Sequence, residues 1–275
     1  MQKHTKIHIF IFLIGFISTA ILSGCSTGGK WNDIEFYEVE KVEQATEVPK
    51  RGTEENEELV ELRDSDDRTF DVKVDMQFMK SENDENENVC NLINEQLISL
   101  VLGQPKGIGE DEAIENYIAG KKNEFHMDDI MPTMHDYITG RAEYGKKNII
   151  TYRVVEDIYT GGAHPLCVTS IFTFDALTGE YLDLEKVFPS VHHEALTEML
   201  LKKLMEQCDA EDIDALHEMG LLDMIDMYVS TNFALRADSV EFYYNPYDIA
   251  PYAFGPSTLC LDYESIKPYC ARKLE

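Results

Sequence analysis

One histidine stands where acid–base chemistry is conceivable. His164 follows Gly161 and Gly162 and precedes Pro165, between two strand-like runs. A histidine works as a general base when a carboxylate orients it and a reacting partner lies within hydrogen-bond reach. No nucleophile motif of the GxSxG kind accompanies it. We therefore expect His164 to bond the local backbone and expect no catalytic residue. A hydrolase that uses His164 is the alternative.

Sequence motifs for metal ions are missing. His192 and His193 are adjacent, so their rings point apart on a helix and make a poor metal pair. Neither HExxH nor an EF-hand loop occurs. The acidic run at residues 84–87 is interpreted as a solvated loop. We expect no metal and no cofactor.

A cysteine near the N-terminus predicts a different chemistry, lipidation. Lys3 and Lys6 precede a short apolar run at residues 7–21, and the segment ends in Leu-Ser-Gly-Cys at Cys25. This is the pattern of an export signal, and the run is too short for a comfortable membrane span. We expect residues 1–24 to be removed and a lipid on Cys25 to anchor the protein in the cell envelope, on the periplasmic or outer-membrane side. A secretory signal with a chance cysteine is the alternative.

Charge narrows the classes of partner. The chain has 24 Lys and Arg against 52 Asp and Glu, a net charge of −28, and loss of Lys3 and Lys6 with the signal would make it −30. Such a surface repels phosphate backbones, which excludes nucleic acid as an expected partner. It would attract cationic proteins at long range, or it would simply keep an exported monomer soluble.

Five further cysteines leave the redox chemistry open. The envelope permits disulfides, but no pair has CxxC spacing and an odd number leaves one thiol unpaired. We interpret most of them as small buried hydrophobic residues, with the pairing undecided. They are Cys90, Cys167, Cys208, Cys260 and Cys270.

The elements that would position these residues begin after an acidic tether at 25–66, in which a patch at 34–39 could add an edge strand. Period-two alternation predicts a strand at 69–78, and helical spacing predicts helices at 89–101 and 111–123. Strand-like segments follow at 137–144, 148–159, 166–174, 240–244 and 258–263, with glycine turns between several of them. Helices are predicted at 193–207 and 212–229.

These elements predict an α+β protein of two small units. Residues 67–145 would form the first and residues 146–275 the second. Each would be a mostly antiparallel sheet with helices packed on one face.

Two motifs in the second unit carry a family resemblance. The first runs from Tyr159 through Gly161, Gly162 and His164 to Pro165 and continues to Phe188, and the second runs from residue 242 to residue 255. Together they resemble the RsiV-like C-terminal domain. The stretch from residue 70 to about residue 104 resembles the domain that precedes it, which also occurs in PdaC-type peptidoglycan deacetylases.

The resemblance implies an extracytoplasmic sensor or binding module. A relative in that family binds lysozyme, so the expected ligand is a lysozyme-like cationic protein or cell-wall peptidoglycan. We recognise no sigma-binding region and no deacetylase domain within these residues, so we expect neither transmembrane signalling nor deacetylation to carry over. The alternative is a peptidoglycan-acting hydrolase or deacetylase accessory that uses His164.

Aromatic residues of the second motif are candidates for binding. They could anchor a sugar or peptide, or they could pack beneath the loop, and the sequence favours packing. Asp248 could cap a turn or contact a ligand. The candidates are Tyr159, Gly161, Gly162, His164, Tyr244, Tyr247, Asp248 and Tyr252.

Overall fold

The computed structural model describes residues 33–47, 68–127, 133–223 and 225–271. Cys25 and the predicted signal lie outside these residues, so both stay predictions. Within the described ranges, no helix is long and apolar enough to cross a membrane.

A five-stranded sheet occupies the first half of the fold. Its strands pair in chain order, antiparallel except for the parallel pair β2 and β3. The α+β prediction is therefore confirmed, and the predicted patch at 34–39 is part of a long edge strand inside the expected tether. The strands are β1 Ile34–Glu47, β2 Arg68–Ser81, β3 Thr133–Tyr144, β4 Ile149–Tyr159 and β5 Leu166–Asp175.

Two helices connect the parallel pair and cover one face of this sheet. They are α1 Asp84–Leu102 and α2 Glu110–Met127. The predicted alternation in β2 is confirmed, because every second residue from Phe70 to Phe78 is fully buried. Those side chains pack against the apolar side of α1, which buries residues such as Cys90, Ile93 and Leu97.

The interpretation of residues 84–87 as a loop is wrong, because α1 begins at Asp84. The side chain of Asn83 accepts a hydrogen bond from Glu85 N, which caps the helix. Acidic residues then fill the first turn, where negative charge meets the positive end of the helix dipole. The acidic run therefore forms the first turn of α1 and is not a loop.

A three-stranded antiparallel sheet forms the second half. Its strands are β6 Phe233–Leu235, β7 Ser239–Tyr244 and β8 Ser257–Asp262. A second hydrophobic cluster joins this sheet to its helices, mainly through α4. The helices are α3 Leu184–Val187, α4 His193–Cys208, α5 Ile213–Glu218 and α6 Tyr263–Ile266.

The predicted helix at 212–229 is wrong after residue 218. Gly220 and Leu222 both have positive φ angles, of 81° and 58°, which end helical geometry. The freed Leu222 N–H donates to Ile249 O at 2.9 Å. The apolar residues that suggested helical spacing instead pack this segment against the loop after β7.

The two sheets meet where the sequence placed its domain boundary. The β3–β4 hairpin spans residues 145 and 146, so the five-stranded sheet continues across that boundary. Lys146 N donates to Leu235 O at 2.8 Å, and a Cβ on Gly145 would lie 2.7 Å from the same oxygen. The hairpin can approach β6 this closely because residue 145 is glycine.

Two asparagines of the second half pair with the edge of β5. Ile171 N donates to Asn232 Oδ1 at 2.6 Å, and Asn232 Nδ2 donates to Thr169 O at 2.7 Å. Thr169 N donates to Asn245 Oδ1 at 2.7 Å, and Asn245 Nδ2 donates back to Thr169 O at 3.0 Å. Side-chain amides thus take the place of a sixth strand.

A ring of four charges also joins the sheets. Arg153 of β4 bonds Glu143 of β3 and Glu241 of β7, each at 2.8 Å. Arg236, just after β6, forms ion pairs of 2.8 Å with the same two carboxylates. Each charge therefore has two partners of opposite sign.

Candidate functional site

The two sequence motifs meet in space through three rings. His164 stacks on Tyr252 with ring centroids 3.9 Å apart and planes 20° apart. Tyr247 Oη lies 3.5 Å from His164 Nε2, and the Tyr247 and Tyr252 rings are 5.6 Å apart. The predicted candidates His164, Tyr247 and Tyr252 thus form one cluster at the surface.

The glycine turn holds His164 in this cluster. Gly161 and Gly162 have φ angles of 98° and 106°, which side chains rarely allow. Tyr159 Oη donates to Gly162 O at 3.0 Å, and Tyr252 Oη donates to Pro165 O at 3.2 Å. The turn is therefore tied both to its own strand and to the second motif.

The second motif presents Tyr247 outward. Asn245 N donates to Asp248 Oδ2 at 2.7 Å, so Asp248 caps the turn rather than facing a ligand. Tyr247 has φ 73° and donates its N–H to Ala250 O at 3.1 Å. Its side chain stays 59% exposed, the reverse of the packing that the sequence favoured.

Contacts of His164 suit a structural role. Pro165 O can only accept, so His164 Nδ1 donates to it at 2.9 Å and Nε2 is left to accept from Tyr247 Oη. Among the described residues, no hydrogen bond or ion pair joins His164 to a carboxylate. The orienting acid that a general base needs is not part of this cluster.

Tyr244 does not belong to the surface, which corrects its place among the candidates. Its side chain is fully buried, and its hydroxyl donates to Tyr228 O at 2.7 Å. Burial raises the pKa of this phenol far above 10. Because it alternates in phase with Val240 and Phe242 along β7, Tyr244 packs in the core.

A neighbouring segment widens the exposed cluster. Leu222 N donates to Ile249 O, and a Cβ on Gly220 would lie 3.7 Å from Pro251, so Gly220 and Leu222 lie beside the second motif. Met219, Ile225 and Phe254 are between 41% and 53% exposed. We call the following six side chains the aromatic patch: His164, Met219, Ile225, Tyr247, Tyr252 and Phe254.

The segments that form the aromatic patch carry no Lys or Arg. Lys and Arg are absent from 154–185, from 204–235 and from 237–266, whereas residues 204–235 alone contain eight Asp and Glu. Near the patch these include the exposed Glu218, Asp223 and Asp226. An apolar surface built from segments whose full charges are all negative is complementary to a basic partner.

A second polar cluster, which the sequence analysis missed, lies between α2 and the five-stranded sheet. Asp136 is fully buried, and its Oδ2 accepts from Tyr117 Oη at 2.7 Å and from Lys121 Nζ at 2.9 Å. Tyr117 Oη also lies 3.4 Å from Glu156 Oε1. Asp136 stands in phase with Met134 and with Ile138, so its inward direction could have been predicted from β3 alone.

The adjacent histidines and the cysteines that the sequence analysis considered belong to neither cluster. In the described ranges, no three His, Cys, Asp or Glu side chains are placed to hold a metal ion. His193 Nε2 bonds Phe188 O, while His192 packs against Tyr269. The five cysteines described are all free thiols, of which only Cys90 is fully buried and Cys167 and Cys260 are exposed.

Comparisons with known proteins match part of this chain to one family model and most of it to two solved structures. Residues 185–264 match the model of a protein family of unknown function, DUF3298. The solved structure of a DUF3298 member from Bacteroides fragilis has a TM-score of 0.69 at 23% identity and covers 87% of this chain and 94% of its own. The solved structure of a DUF3298 protein from Pseudomonas aeruginosa PAO1 has a TM-score of 0.57 at 15% identity and covers 86% of this chain and 95% of its own. No curated protein matched. At these identities the likeness shows a shared fold.

Proposed function

We propose that this protein is a non-enzymatic binding module of the cell envelope that captures a lysozyme-like cationic protein at the aromatic patch. One observation carries the proposal, namely the exposed rings of Tyr247 and Phe254 on chain segments that contain acidic residues but no Lys or Arg. Large exposed apolar groups rimmed by charge are typical of interaction surfaces.

The chemistry of the patch suits a basic protein. Tyrosine rings are common anchors of interfaces and attract Lys and Arg side chains through their faces. The acidic surround would raise the rate of encounter, and the rings would supply most of the affinity after contact. Tyr247 is held by its own backbone and by His164, so little entropy is lost when it binds.

The envelope location in this proposal derives from the sequence. The lipobox-like end at Cys25 supports a lipid anchor, which would keep the patch outside the cytoplasm. Residues 185–264 match DUF3298, a family of unknown function, so a role for this half is proposed from the resemblance of its two motifs to the RsiV-like C-terminal domain. That resemblance, and the PdaC-like likeness of the first half, support a sensor-type role by analogy.

A cell-wall glycan is the second candidate ligand. The exposed ring of Tyr247 beside Tyr252 could stack on the apolar face of a sugar. A hydrolase centred on His164 has less support, because the hydrogen bonds of both ring nitrogens are internal to the cluster. Salt dependence separates the two ligands, since a neutral sugar would not be sensitive to the acidic surround.

Binding of a soluble chain of residues 26–275 tests the proposal. Calorimetry would measure its affinity for lysozyme and for peptidoglycan fragments at low and at physiological salt. We expect lysozyme binding to persist at physiological salt and to weaken about 30-fold in Tyr247→Ser, a loss of about 2 kcal/mol typical of an anchoring ring.

Matched variants make the result specific. Phe254→Ser should also weaken binding, whereas Leu177→Ser, which changes a 41% exposed side chain in the turn after β5, should leave it unchanged. Equal loss in all three variants, or binding at low salt only, would contradict a specific patch. Binding of glycan alone would favour the second candidate.

A further inference from the structure

A buried carboxylate oxygen without a partner marks the cluster beneath α2. Asp136 Oδ1 has no hydrogen-bond donor in the described structure, although its side chain is fully buried. The other oxygen, Oδ2, is bonded by both Tyr117 and Lys121. A buried acceptor left unpaired loses its hydrogen bond to water and gains none in the protein, so a donor for Oδ1 would be stabilising.

Glu156 can supply that donor only as a protonated acid. Its side chain lies beside Asp136 and within 3.4 Å of Tyr117 Oη, whose single proton is already directed to Asp136. Burial, and then the charge of Asp136, raise the pKa of Glu156 above its ordinary value of 4.5. A carboxylic acid next to a carboxylate is the arrangement in which two acids hold one proton.

We propose that Asp136 and Glu156 share one proton, and that this proton holds α2 against the five-stranded sheet. Asp136 is on β3 and Glu156 is on β4, whereas both side chains that bond Asp136 Oδ2 come from α2. With the proton in place, the positive charge of Lys121 balances one negative charge.

Loss of the proton would leave two negative charges, on the buried Asp136 and the half-buried Glu156, facing one cation. The charged or titratable groups at this contact are Tyr117, Lys121 and Glu124 from α2, Asp136 from β3 and Glu156 from β4. Glu124 adds a further negative charge near Lys121. Outward movement of α2 would admit water to both carboxylates and relieve their repulsion.

The direction of the pH effect follows from linkage. Because the pKa of Glu156 is higher in the folded than in the unfolded chain, its protonated form favours the folded state. This contribution is complete at low pH and is lost as the pH rises through the folded pKa. Above that pKa, the opening equilibrium of α2 should increase by up to about tenfold per pH unit, since one proton is released.

Hydrogen exchange of the full chain tests whether the shared proton holds α2 against the sheet. We expect the amides of α2 to lose protection as the pH rises, after correction for intrinsic exchange, while the amides of α1 do not. Glu156→Gln carries a permanent donor and should keep α2 protected at high pH. Glu112→Gln changes an exposed acid in the first turn of the same helix, away from the cluster, so it should retain the wild-type loss of protection.

Infrared spectroscopy provides a readout independent of stability. Wild type should keep the carbonyl stretch of one protonated carboxyl group to a higher pH than its exposed carboxyl groups do, and Glu156→Gln should lack this late-titrating band. Tyr117→Phe, which removes the hydroxyl between the two acids, should shift the pH at which the band disappears. Absence of the band, or α2 protection that depends on pH equally in wild type and Glu156→Gln, would overturn the proposal.

Discussion

Arg153 Nη2 lies 2.8 Å from Glu241 Oε1, and this ion pair joins the two sheets. The side chains are 21% and 16% exposed, so water screens them less than it screens a surface pair. Glu143 and Arg236 close the ring with opposite charges from the two sheets. The junction is therefore electrostatic where most of the fold is apolar.

Removing one member of this ring should destabilise the junction. We expect Glu241→Gln to lower the free energy of unfolding by about 2 kcal/mol, between the ranges for exposed and for buried pairs. A double-mutant cycle with Arg153→Met, measured by urea unfolding, should give a coupling energy of about 1–2 kcal/mol. Additive effects of the two changes would mean that the pair contributes no stability of its own.

Acid should weaken the same junction through Glu241. Burial raises its pKa, but the hydrogen bonds from Arg236 and Arg153 outweigh this effect and lower it below 4.5. The stability that this lowering adds is present above about pH 4.5 and is lost as the pH falls through the lower, folded pKa. Thermal unfolding of wild type and Glu241→Gln should therefore converge at low pH. A constant difference down to pH 2 would exclude this linkage.

The close approach at Gly145 predicts a large effect of one methyl group. A Cβ there would lie 2.7 Å from the backbone oxygen of Leu235, so Gly145→Ala should cost about 1–3 kcal/mol. Gly120→Ala is the control, because nothing lies within 4 Å and alanine favours the helix by up to about 1 kcal/mol. Chemical denaturation of both variants should show opposite signs.

Two substitutions of His164 distinguish a stacking role of its ring from a chemical role of its ring nitrogens. If His164 only stacks on Tyr252, then His164→Phe should retain ligand binding within about threefold, whereas His164→Ala should weaken it. Titration calorimetry with lysozyme measures both variants. A loss in His164→Phe as complete as in His164→Ala would show that a ring nitrogen is essential, which would favour the hydrolase alternative.

The asparagines at the β5 edge should contribute more than surface amides do. Asn232→Ala would leave Ile171 N–H without its acceptor and remove one donor to Thr169 O, for a cost of about 2–3 kcal/mol. Thermal unfolding of Asn232→Ala against Asn88→Ala, which changes an exposed asparagine of α1, provides the comparison. Similar melting temperatures would show that water replaces the amide.

Local pattern was sufficient for much of the fold. The alternation of β2 and the spacing of α1 were visible because one face of each packs on a single core. β6 was missed because a three-residue strand is too short to show a period. The order of the strands, with β2 parallel to β3, depends on long-range pairing that no local pattern contains.

For the site, the sequence identified residues but not their environment. The pairing of His164 with Tyr252 joins segments 88 positions apart, and its motifs came from resemblance. Tyr244 and Tyr247 look alike in a run of aromatic residues, yet one is buried by strand alternation and the other is exposed by a positive φ angle. The inward direction of Asp136 could have been predicted from its alternation with Met134 and Ile138 along β3. Its bonding partners on α2 depend on helix packing and could not have been predicted.

The asparagine pairing at β5 has a consequence for the order of events during synthesis. The last strand of the five-stranded sheet is complete at Asp175, but Asn232 and Asn245 follow later in the chain, whether it leaves the ribosome or crosses a membrane. Because the N-terminal part becomes available first, an interval separates the completion of β5 from the arrival of the two asparagines. Throughout that interval the edge of β5 can accept a foreign strand, so aggregation of nascent or C-terminally truncated chains should begin there.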